Sequence, residues 1–83
     1  MKFKLEKLSN LVNAMNATDE QGKSIRLDLW TDSSFPEITD ALNKLTTVAE
    51  QNEYLNSLNG RTIECESILP YTPCYFVCNG KLI

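Results

Sequence analysis

PEITDALNKLTTVAEQNEYLNSL, residues Pro36–Leu58, decides how the rest of the chain can fold. Ile38, Ala41, Leu42, Leu45, Val48 and Ala49 recur at three- and four-residue steps, which places them on one face of a helix. Pro36 suits the first helical position, because its ring pre-sets φ and its missing N–H would have had no intrahelical partner. Ser33 or Ser34 supplies an N-cap, and Glu37 and Asp40 put negative charge at the positive end of the helix dipole. Asn59-Gly60 ends the helix, since both residues tolerate the left-handed conformation common at helix C-termini. Leu42 and Leu45 sit at the centre of the apolar stripe and are expected in the core. Thr46-Thr47 is weak helix material, and Tyr54, Leu55 and Leu58 lie on a face rotated away from the stripe. Two shorter helices, or one bent near Glu50, therefore fit almost as well as a single one.

On both sides of this segment the apolar period changes to two. Phe3 and Leu5 alternate with Lys2, Lys4 and Glu6, which is strand spacing with one wet face. Leu8, Leu11, Val12 and Met15 then fall at helical steps. Either the strand runs on to Asn16 with a bulge or it yields to a short helix, and the strand is preferred because the next segment needs a partner. Thr18–Lys23 is a polar turn with Gly22 where positive φ is needed. In Ser24–Trp30, Ile25, Leu27 and Leu29 alternate against Arg26, Asp28 and Trp30, so the two segments read as a β-hairpin. Beyond the helix, Arg61–Leu69 alternates Ile63, Cys65 and Ser67 with Thr62, Glu64 and Glu66. Pro70-Tyr71-Thr72-Pro73 interrupts it, because proline cannot donate to a sheet ladder. Cys74–Cys78 is a short apolar strand, and Asn79-Gly80 is a hairpin signal after which Lys81-Leu82-Ile83 folds back. The expected fold is α+β in the order β-β-α-β-β, an antiparallel sheet of about four strands with one or two helices packed on one face.

The chain has 83 residues, enough for one domain spanning the whole length and too few to enclose a large pocket beside a core. Apolar residues make up 42% and charged residues 23%, ordinary for a soluble globular protein. The net charge of −3 is unevenly spread. Lys2, Lys4, Lys7, Lys23 and Arg26 outnumber Glu6, Asp19 and Glu20 up to residue 26, whereas eight acids face only Lys44, Arg61 and Lys81 beyond it. A mildly acidic body disfavours direct nucleic-acid binding, which needs clustered Lys and Arg, and the basic start reads as a solvated strand face. Cys65, Cys74 and Cys78 are an odd set, better suited to a reduced cytoplasmic setting than to a disulfide framework. Ser9, Asn10, Asn13 and Asn16 break the apolar run a signal peptide would need, and no stretch is long enough for a membrane span. Asn16-Ala17-Thr18 is then a chance glycosylation triplet.

The sequence contains no histidine, which excludes Ser-His-Asp and Cys-His catalysis and any imidazole zinc site. Gly22, Gly60 and Gly80 are isolated turn residues, so there is no phosphate-cradling loop. The three cysteines could supply thiolates to a metal, but Cys65 and Cys78 fall in expected strands, where cysteine is usually a core residue. No cation stands beside any of them in sequence to stabilise a thiolate. The acidic pairs Glu64/Glu66, Asp19/Glu20 and Asp28/Asp32 fall on wet faces, where solvation accounts for them and acid/base catalysis does not follow. Neither an enzyme, a cofactor nor a metal is therefore expected.

The aromatics are more suggestive. Phe35, Tyr75 and Phe76 suit the ends of the core. Trp30 is out of phase with Ile25, Leu27 and Leu29, and Tyr71 lies between two prolines in a loop that cannot pair. Aromatics presented in this way are typical anchors of protein interfaces. Trp30 and Tyr71, with Glu64 and Glu66 as an acidic rim, are the candidate partner-binding residues. The chain reads as a small acidic non-enzymatic protein-binding module. Short, Asn-rich and motif-free, it has the general look of the accessory proteins of phages and mobile elements that inhibit or modulate a host protein complex. The alternatives are a self-assembling structural subunit pairing through a sheet edge, and hence a homo-oligomer, or a small cysteine-based metal or redox protein.

Overall fold

The computed structural model describes residues 1–9, 12–29, 36–70 and 75–83. Five strands and two helices follow one another as β1 (Lys2–Lys7), β2 (Ala14–Thr18), β3 (Ser24–Asp28), α1 (Pro36–Asn43), α2 (Val48–Leu58), β4 (Thr62–Pro70) and β5 (Phe76–Leu82). The strands close into a barrel in the order β1-β2-β3-β5-β4. All neighbours are antiparallel except β3 and β5, which run parallel and meet at Leu27 and Phe76. The mixed α+β content agrees with the sequence; the open four-stranded sheet with helices on one face does not. The extra strand accounts for the difference. Lys2–Lys7 and Ala14–Thr18 are two strands rather than one bulged strand, separated where Ser9, Asn10 and Asn13 weaken strand propensity. With β1 free to pair with β2 on one side and β4 on the other, the sheet curls shut and leaves Leu5, Met15, Leu27 and Ile63 fully buried together.

The turn between β2 and β3 follows the sequence reading closely. Asp19 Oδ1 accepts from the amides of Gln21 and Lys23, each at 2.9 Å, and Gly22 takes φ +85°. This local hydrogen bonding is what an Asx residue offers a turn. Asn79-Gly80, by contrast, forms no hairpin. It lies inside a continuous β5, with Gly80 paired to Cys65. A three-residue return strand would have gained little, whereas the nine-residue β4 offers a full ladder.

Helix formation is split. α1 buries Ile38, Thr39 and Leu42, and α2 starts afresh at the Thr47 cap and buries Leu55 and Leu58. Thr47 Oγ1 accepts from the Glu50 amide (3.2 Å) and donates to the Glu50 carboxylate (2.9 Å), which satisfies an otherwise orphaned helix-start N–H. The new start resets the helical phase. Leu45 is only half-buried, Ala49 is exposed and Val48 is 59% exposed, so the expected single stripe from Ile38 to Ala49 does not exist. The stop at Asn59-Gly60 does. Gly60 has φ +84°, its N–H donates to Leu5 O, and Asn59 Oδ1 accepts from the Lys7 amide, tying the end of α2 to β1. Thr39 Oγ1 donates to Leu29 O and anchors α1 against the end of β3. The expected caps Ser33 and Ser34 lie outside the described residues.

Candidate binding surface

β4 has two unlike halves. From Thr62 to Glu64 it pairs with β1, and Cys65 exchanges hydrogen bonds with Met1 at 2.7 and 2.8 Å. From Glu66 to Pro70 it pairs, among the described residues, with β5 alone. The change comes at a β-bulge: Cys65 faces Gly80 and Ile68 faces Cys78, so Glu66 and Ser67 together oppose Asn79. A bulge adds a residue to one strand, bends it and increases its twist. Leu69, on the second half, is 60% exposed. Pro70 ends the strand where a missing N–H costs no ladder bond on an open side.

Ile68 also lines a recess of about 250 Å³ with Met1, Phe3, Ile25 and Phe76, to which Asp19 and Lys23 add polar groups. This apolar mouth is continuous with the open half of β4 through Ile68. A second depression of about 330 Å³ lies between Glu64, Glu66, Asn79, Gly80 and Lys81. The structure thus brings Glu64 and Glu66 to one surface, as the sequence placed them. Glu64 stands between Lys2 and Lys81 in the cross-strand register, and its Oε1 lies 3.4 Å from the N-terminal ammonium. Glu66 Oε2 accepts from Asn79 Nδ2 at 2.7 Å. Trp30 and Tyr71 lie outside the described residues.

The pairing of Cys65 with Cys78 was not legible in the sequence. Neither is in a disulfide, the two are 1% and 2% exposed, and a thiol–thiol hydrogen bond is the leading cause of their pKa shifts. Cys78 donates, which lowers the Cys65 pKa despite burial; the Cys78 pKa is raised by that bond and by burial. The usable signal was the strand pairing of residues 62–70 with 76–82, which needed the hairpin at Asn79-Gly80 to be rejected first. Among the described residues no group of three or more Cys, Asp or Glu side chains could hold a metal ion, and no helix is long and apolar enough to cross a membrane.

β3 runs parallel to β5, the helices fall between β3 and β4, and the β2–β3 pair presents one face outward. Fold alone does not assign function. Here the outward positions of that face are Asn16, Thr18, Ser24, Arg26 and Asp28, a single cation set against a single acid. Thr18 and Ser24 share a hydroxyl hydrogen bond, and the Arg26 guanidinium lies 5.7 Å from the centre of the Tyr75 ring. A basic groove with open stacking platforms, which single-stranded nucleic acid requires, is not assembled by these five residues. The chain matches no family model, no curated protein and no solved structure.

Proposed function

We propose that this barrel is a non-enzymatic protein-binding module that takes up an extended segment of another protein along the open half of β4. The observation that carries the reading is the one-sided pairing of Glu66–Pro70 beside the apolar mouth. An incoming strand finds an edge with no second strand beside it among the described residues and a recess for an apolar side chain at Ile68 and Phe76, which is how strand addition obtains affinity and specificity. The interior supports the same reading: Leu5, Met15, Leu27, Leu42, Leu55 and Ile63 fill it, so contacts with a partner fall to the exterior. Glu64 and Glu66 supply an acidic rim, and Trp30 and Tyr71 remain the proposed aromatic anchors. A cytoplasmic accessory protein that modulates a host complex, of the kind phages and mobile elements encode, would need no more than this surface.

The test is to capture the partner on immobilised protein and compare wild type with Leu69→Lys, Glu66→Lys, Tyr71→Ala and Trp30→Ala, each shown first to melt like wild type. Leu69→Lys is expected to weaken the complex by about 2 kcal/mol or more. Undiminished binding by all four variants contradicts the reading. A second reading, favoured by the same open edge, is self-association with β4 of one copy beside β4 of another. Light scattering of the isolated protein over a concentration series separates the two, because self-assembly needs no partner.

A further inference from the structure

We infer that the segment added along Glu66–Pro70 is a basic one: it seats an apolar side chain in the recess at Ile68 and Phe76 and sets a lysine or arginine against Glu66. The inference rests on the strand-addition reading and adds the chemistry of the strand. Successive residues of a strand point to opposite faces, and the ladder shows which. Ile68 faces the buried Cys78 and lines the recess with Phe3 and Phe76, so it points inward. Leu69 faces Val77 on the outer side and is exposed. Glu66 shares the outer depression with Glu64 and Asn79. The bulge takes up one residue between Glu66 and Leu69, so both belong to the outer face despite their odd spacing. A strand laid beside this edge therefore meets an apolar position inward at Ile68, another outward at Leu69, and a carboxylate outward at Glu66.

The charges decide the sign. Glu64 stands between Lys2 and Lys81 in the register and lies 3.4 Å from the N-terminal ammonium. Glu66 has only a neutral donor, Asn79. All eight Lys and Arg residues are among the described residues, and none of them stands within ion-pair distance of Glu66. Opposite charges directly across a strand pair attract and like charges repel, and the net charge of −3 adds to the bias. A second copy of this chain is the poorer occupant, because its own β4 brings Glu66 to the interface rather than a cation.

The experiment uses capped synthetic peptides of one alternating Thr/Leu sequence that carry lysine, glutamine or glutamate at a single outward position. Each is titrated into the full chain at low salt, and amide shifts read both affinity and place by NMR. The expected result is a response centred on Glu66–Leu69, with the glutamate peptide about tenfold weaker than the lysine peptide and the glutamine peptide between them. High salt should shrink that spread. Glu66→Gln, shown to melt like wild type, should remove most of it. Equal affinity of all three peptides at Glu66–Leu69, or a lysine preference that Glu66→Gln leaves intact, overturns the inference while strand addition stands. Shifts confined to another part of the barrel, or none from any peptide, overturn both.

Discussion

The first half of β4 and the second belong to one strand, but only the first alternates between buried and open positions, and the two live in different surroundings. Thr62–Cys65 lies between β1 and β5, with Ile63 at 0% and Cys65 at 1% exposure, whereas Glu66–Pro70, among the described residues, lies beside β5 only and leaves Leu69 60% exposed. Alternation tells which face of a strand is apolar. It does not tell what stands at the strand's edge, and in this barrel the edge separates the part that holds the fold together from the part we propose meets a partner.

The contrast is broken most directly by truncating one side chain in each half. Ile63→Ala removes a fully buried side chain and is expected to cost about 2–5 kcal/mol in urea unfolding. Leu69→Ala should stay within about 0.5 kcal/mol of wild type, as exposed substitutions do. Equal losses at the two positions would show that the second half is as embedded as the first. The barrel half has a polar anchor too. Thr39→Val keeps the shape but leaves the Leu29 carbonyl without its buried donor, for an expected loss of about 1–3 kcal/mol.

The helical segment repeats the contrast on a smaller scale, since α1 is anchored by buried groups while α2 begins at an exposed cap. Thr47→Ala should cost about 1 kcal/mol, and Thr46→Ala markedly less, because the Glu50 amide bonds to Thr47 alone. The smallest effect is at Tyr54, whose pKa is raised by burial, then by Glu37, with Arg61 opposing. Its contribution to stability is fully present below the ordinary value of 10.0 and is lost as pH rises through the higher folded-state value. The difference in phenolate absorbance between wild type and Tyr54→Phe should therefore show a midpoint above 10.0.

Much of this was readable from residues and much was not, for separable reasons. Local chemistry was decisive at Asp19–Lys23, at the Asn59-Gly60 stop and in the alternation of Ile25 and Leu27 with Arg26 and Asp28, where each residue acts on its immediate neighbours. Long-range pairing was not. Nothing between Phe3 and Met15 reveals that β1 must serve both β2 and β4, and that pairing turns a sheet into a barrel. Asn79-Gly80 misled because a hairpin signal is local, while the ladder offered by β4 is not. Leu45 was placed in the core on a helical phase that the Thr47 cap resets. Of the candidate site, the grouping of Glu64 with Glu66 was legible from their spacing. The bulge, the apolar mouth and the meeting of Cys65 with Cys78 depend on register, which a single sequence does not state.

The central claim is that Glu66–Leu69 is an open edge in the free protein and is covered in the complex, and amide hydrogen exchange reads this most directly. In dilute isolated protein the account predicts slow exchange in Ile63–Cys65 and faster exchange in Glu66–Leu69, with the captured partner slowing the second segment selectively. Glu66–Leu69 amides as slow as those of Ile63–Cys65 in the isolated protein, or partner protection confined to some other part of the barrel, would contradict it.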